Sequence, residues 1–161
     1  MKFQDRLSKA IQRGENISSR RSAAEAKKRL DEQELKRLHS EYRLQLSEQI
    51  ESCLRSLLNY FPGFQYETIV GEKGWGGAVS RDDIGFDENR KRRSYYSRLE
   101  LVIRPISQYF VMDLAGKGTI RNKEIFSRSH FQRIDEIDLH SFEEMIDNWT
   151  LEYAERFAAS S

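Results

Sequence analysis

Residues 95–131 read YYSRLELVIRPISQYFVMDLAGKGTIRNKEIFSRSHF, and their first part alternates in character. Tyr95, Ser97, Leu99, Leu101 and Ile103 fall on one side, and Tyr96, Arg98, Glu100, Val102 and Arg104 on the other. This is the period-two pattern of an antiparallel strand buried on one face. Pro105 closes the strand, because proline has no amide proton to give to a ladder. From Gln108 to Leu114 the chain returns, with Phe110, Met112 and Leu114 opposite to Tyr109, Val111 and Asp113. AGKG at 115–118 then reads as a tight turn or as a bulge in a longer strand that turns at Arg121, Asn122 and Lys123. The bulge is preferred, since it leaves IFSRSHF room to be a full last strand.

Outward from this meander, FQYETIV after Pro62-Gly63 reads as a strand with Phe64, Tyr66, Thr68 and Val70 on one side. GEKGWGG supplies a glycine-rich turn and GAVSRDD a return strand, which makes a hairpin. RDDIGFDENRKRRS is charged enough to be expected as a long surface loop. Downstream, Asp138 or Ser141 is positioned to cap a helix, and Ser141 with Glu144 has capping-box spacing. Phe142, Ile146, Trp149, Tyr153 and Phe157 form one apolar stripe along it.

Upstream, residues 22–61 contain neither Gly nor Pro and are rich in Ala, Leu, Glu, Lys and Arg. A helix of that length is on the order of 60 Å long, more than a compact domain of the remaining chain can cover. Leu46, Ile50, Cys53, Leu54, Leu57, Leu58 and Phe61 mark its second half for burial against the sheet. The first half has only a thin seam of Leu30, Leu35, Leu38 and Tyr42 among charges, the pattern of an exposed helix or a two-stranded coiled coil; the alternative is a helix that bends near Ser40 and folds back. Residues 2–13 carry Phe3, Leu7, Ala10 and Ile11 on one stripe, with Gly14 as the expected stop and ENISSRRS as a hinge or cap region. The reading is α+β: an antiparallel sheet of four or five strands, hairpin plus meander, packed on one face by the long N-terminal helix and the C-terminal helix. Residues 1–42 form a basic helical extension and 43–161 the α+β domain.

The 161 residues are 33% charged against 38% hydrophobic, and the net charge of +1 conceals a polarity. Residues 1–30 hold nine Lys or Arg and three acids, and residues 132–161 hold two Arg and eight acids. Cys53, the single cysteine, reads as a buried inert thiol. No apolar run has the length of a signal core or a membrane span. A cytoplasmic protein is expected.

For chemistry, His39, His130 and His140 form no metal-ligand spacing, no GxSxG elbow is present, and Asp82-Asp83 and Glu143-Glu144 are adjacent pairs whose side chains diverge. Gly71, Gly74, Gly76 and Gly77 beside Lys73 lack the following helix a phosphate cradle needs. No metal or cofactor is implied. The leading expectation is a non-enzymatic interaction module, an adaptor or chaperone-like subunit, that meets a protein partner or a second copy through residues 1–42. Trp75, between glycines, folds back over the sheet edge or faces a partner, and Tyr96, Arg98 and Arg104 offer a mixed aromatic and charged sheet face. The alternative is nucleic-acid binding through Arg20, Arg21, Lys27, Lys28 and Arg29 and through Arg90, Lys91, Arg92 and Arg93. A further alternative is an enzyme using Arg98, Glu100 or His130 on the open sheet face.

Overall fold

A computed structural model describes residues 2–160; the side chain of Leu30, one of the seam residues above, lies outside the described residues. The elements in order are α1 (Phe3–Tyr60), β1 (Gln65–Gly71), β2 (Gly74–Phe86), β3 (Arg92–Ile103), β4 (Val111–Ile120), β5 (Lys123–Arg133), a 3-10 turn (Ile134–Glu136) and α2 (Leu139–Ala159). The chain divides into two units, Met1–Arg37 and Leu38–Ser161.

In the first unit the helix runs through both Gly14 and the ENISSRRS segment, so neither the stop nor the hinge expected there exists. One glycine inside a helix costs only about 1 kcal/mol against alanine, and a helix already nucleated propagates past it. In the second unit the helix passes Ser40 without interruption.

The second unit is built on a five-stranded antiparallel meander in the order β1-β2-β3-β4-β5. Leu99, Leu101 and Ile103 of β3 are fully buried, as are Val79, Met112 and Leu114 beside them, Leu46, Ile50 and Leu54 of α1, and Phe142, Ile146 and Tyr153 of α2. The alternation that opened the sequence reading therefore sets the packed face. Side-chain bonds join the two helices: Gln49 Nε2 donates to the Glu143 carbonyl at 2.9 Å and to Asp147 Oδ1 at 3.0 Å, and Gln45 Nε2 to Glu143 Oε1 at 3.2 Å.

AGKG lies inside β4, with an irregularity in the β4–β5 pairing between Gly118 and Thr119. Its glycines form a trough for α2: a Cβ on Gly116 would lie 2.6 Å from Trp149 Cε3, and one on Gly118 3.1 Å from Tyr153 Cδ2. The turn falls at Arg121 and Asn122, both at positive φ (50° and 72°). Asn122 holds it by accepting from the Tyr96 amide at 2.8 Å and donating to the Tyr96 and Ser94 carbonyls at 2.8 and 3.0 Å.

Other expectations change. The stretch expected as a long loop is mostly ladder, with Phe86 opposite Arg92 and Ile84 opposite Ser94. Only residues 87–91 turn, closed by the Asp87 carboxylate on the Asn89 and Lys91 amides, both at 2.9 Å. Charge at these positions is tolerated because a two-stranded ribbon is solvated on both sides. β2 begins earlier than expected, at Gly74, so Trp75 sits within the strand opposite Val70 and Ile103 and not at a turn tip. The strand after Pro105 starts at Val111 and not Gln108, following Phe110 at positive φ (52°). No capping box forms: Asp138 is the N-cap, without a side-chain bond, and the Ser141 hydroxyl donates to the Asp138 carbonyl at 2.7 Å.

Candidate functional site

Paired residues of antiparallel strands share a face, so the register places Tyr96, Arg98, Glu100 and Arg104 on the side away from the helices. Arg98 reaches across β2 to Glu67 of β1 and also donates to Glu100 Oε1 at 3.2 Å. Ala78, beneath that crossing, is fully buried. Arg104 pairs with Asp113 at 3.4 Å on the neighbouring strand. Arg98 and Arg104 are thus occupied by carboxylates of their own sheet. His130 stands on the opposite face, opposite Leu114, so the sheet separates it from Arg98 and Glu100. Its Nε2 is 3.0 Å from Ser141 Oγ, which also receives Gln132 Nε2 at 3.0 Å. The Ser141 proton is spent on the Asp138 carbonyl, which leaves His130 as a donor to that hydroxyl and the serine unactivated.

Trp75 is half-buried on the packed side, with the Arg43 guanidinium 4.2 Å from its ring. It lies within an inner strand beneath Arg43 and is not turned out from a loop. Cys53 donates to Asp147 Oδ1 at 3.3 Å, and burial first, then that hydrogen bond and the carboxylate charge, push its pKa up to about 12.

A run of four consecutive cations lies at the end of the sheet where β2 and β3 extend past their neighbours. Arg90, Lys91, Arg92 and Arg93 are exposed around the ribbon tip. Arg92 lies on the outer face with Ile84, Phe86 and Tyr96, the first two 62% and 72% exposed. Arg93 and Tyr95 lie on the other face, where the Arg121 guanidinium sits 4.2 Å from the Tyr95 ring centroid. There Tyr95, Ile120, Arg121, Lys123, Ile125 and Arg156 line a groove of about 390 Å³. Of these, Tyr95, Arg121, Lys123 and Arg156 are invisible as a group in the sequence, because three separate elements supply them.

In the first unit, every described side chain from Lys2 to Arg29 is exposed, including Arg20, Arg21, Lys27, Lys28 and Arg29. Phe3, Leu7, Ile11 and Ile17 are 73%, 47%, 54% and 59% exposed.

Comparison of the chain with protein-family models, with curated proteins and with solved structures gave no match. Among the described residues, no three His, Cys, Asp or Glu side chains come together to hold a metal ion, and no helix is long and apolar enough to cross a membrane.

Proposed function

We propose that the protein is a non-enzymatic interaction module whose docking element is the first part of α1. The observation that carries this reading is the exposure of Phe3, Leu7, Ile11 and Ile17 on an uninterrupted helix. Because the helix continues through Gly14, Phe3, Ala10, Ile17 and Ala24 recur every seven residues along one stripe, with Leu7 beside it. That spacing is the seam a partner helix fills. Such a stripe left in water gains nothing for the fold, whereas each larger side chain covered by a partner contributes about 1.5–3 kcal/mol. The nine Lys or Arg against three acids over residues 1–30 disfavour a parallel pairing of this segment with itself. They favour an acidic helical surface as the partner.

The test compares the full chain with the triple variant Leu7→Asp, Ile11→Asp, Ile17→Asp by multi-angle light scattering and by affinity capture from the native cell. The wild type is expected as an assembly, or with a captured protein that the variant fails to retain. A wild type that is monomeric and captures the same proteins as the variant overturns the reading.

A further inference from the structure

The groove beside Tyr95 gathers Arg121 from the β4–β5 turn, Lys123 from the start of β5 and Arg156 from the end of α2, with Ile120 and Ile125 as its apolar lining. None of these three cations has a carboxylate within ion-pair distance among the described residues. Three acids on the elements that border the groove are engaged elsewhere: Asp83 receives Arg81 at 3.0 Å, Glu124 is paired with Lys117 at 3.9 Å, and Glu152 receives Arg128 at 2.6 Å. The carbonyl end of α2 attracts cations, but a helix terminus carries only about half a charge, and that within its last turn. Here the last turn is further satisfied by Ser160, whose amide and hydroxyl both donate to the Phe157 carbonyl at 3.1 and 2.6 Å. Three like charges facing one groove exceed what that terminus offsets.

Two of the three cations, Arg156 and Arg121, are also held in place. Arg156 Nη1 donates to the Ile125 carbonyl at 3.2 Å. The Arg121 amide donates to Ser97 Oγ at 3.0 Å, while its guanidinium lies on Tyr95. Cations fixed before a ligand arrives lose little side-chain entropy when it binds. Arg121 already stacks on one face of the Tyr95 ring, and a Cβ at Gly85 would lie 2.8 Å from the ring's Cε2 edge and 3.6 Å from Arg121 Nη2, so the guanidinium takes the place a stacked base would need on that face. We infer that this groove binds the phosphate groups of a phosphate-bearing ligand through Arg121, Lys123 and Arg156, by charge and not by reading a base. The ligand is a free nucleotide or polyphosphate, or the backbone of a single-stranded nucleic acid, for which Arg93 and the ribbon tip continue the same basic surface.

The full chain is titrated at low salt with inorganic tripolyphosphate, ATP and a labelled single-stranded oligonucleotide, by calorimetry and fluorescence anisotropy. Lys123→Gln with Arg156→Gln is expected to weaken binding by at least about tenfold, each lost charge-assisted bond being of that order. Arg20→Gln with Arg21→Gln, on the N-terminal helix, is expected to leave it unchanged. Oligonucleotide binding with a log–log salt slope of roughly −2, as three single-strand phosphate contacts give, and weak competition by ATP identifies a backbone. Saturation by ATP or tripolyphosphate that displaces the oligonucleotide identifies a free ligand. Absence of binding by all three probes, or binding undiminished in the Lys123→Gln, Arg156→Gln variant, overturns the assignment. A circular dichroism melt of the variant that matches wild type excludes loss of fold as the cause of weakened binding.

Discussion

The same substitution, glycine to alanine, is expected to have opposite signs at two positions. At Gly116 a Cβ would lie 2.6 and 2.9 Å from Trp149 Cε3 and Cζ3 and 3.1 Å from Leu101 Cδ2. Leu101 is fully buried and Trp149 only 6% exposed, so neither retreats without disturbing the core. Overpacking of this kind costs about 1–3 kcal/mol, offset by the roughly 0.5–1 kcal/mol that removing a glycine from a strand returns. With mid-range values the net is a loss of about 1 kcal/mol, a drop of roughly 2–4 °C in melting temperature for a chain of this size. At Gly14 nothing lies within 4 Å of the added methyl, and Gly14→Ala should stabilise the helix by about 1 kcal/mol. Chemical denaturation followed by tryptophan fluorescence reads the first, and far-UV circular dichroism the second. Trimming the tryptophan to leucine in the Gly116→Ala background should relieve the clash, with a coupling of about 0.5–3 kcal/mol in a double-mutant cycle. A Gly116→Ala protein as stable as wild type, or a coupling of zero, would show that α2 is not seated in the glycine trough and would refute the packing described.

Two further outcomes concern titratable groups shielded from water, His39 buried and Cys53, expected to be buried, only half-buried. His39, only 3% exposed, is held below its ordinary pKa of 6.5 by burial, with the Arg43 charge adding to it against a hydrogen bond to the Arg104 backbone, and its Nε2 has no partner among the described residues. The unfolded chain therefore binds more protons than the native one as pH falls below 6.5, so stability is full above that value and declines beneath it. Denaturation curves across this range should show the decline, and His39→Leu should flatten it; an unchanged slope in the variant would assign the effect elsewhere. For Cys53, a pKa near 12 against an ordinary 9.0 leaves about a thousandfold less thiolate than in the unfolded chain. Alkylation of the native protein should be slow by roughly that factor, and Asp147→Asn should speed it; native labelling as fast as in denaturant would contradict the burial.

The strands of the meander and the stripe of α2 were legible in the sequence because each follows a single period: two for Leu99, Leu101 and Ile103, and the helical repeat for Phe142, Ile146, Trp149, Tyr153 and Phe157. Local pattern suffices where one face meets a core and the other meets water. The ribbon from β2 into β3 was not legible. Its apolar residues, Ile84 and Phe86, stand exposed among charges, so the alternation does not mark a buried face, and only the pairing of Phe86 with Arg92 and Ile84 with Ser94 reveals it. Gly14 misled for a related reason: local propensity marks a place where a helix is able to stop, whereas continuation depends on the helix on either side. The basic run at 90–93 was visible as a cluster, because its members are consecutive. Arg121, Lys123, Arg156 and Tyr95 were not, since a turn, a strand and a helix end lying far apart in the chain supply them. Charge type and helical period are written locally in the amino-acid sequence; which cations share a groove, and which are already paired with a carboxylate, is decided only when the strands take their register and α2 settles on them.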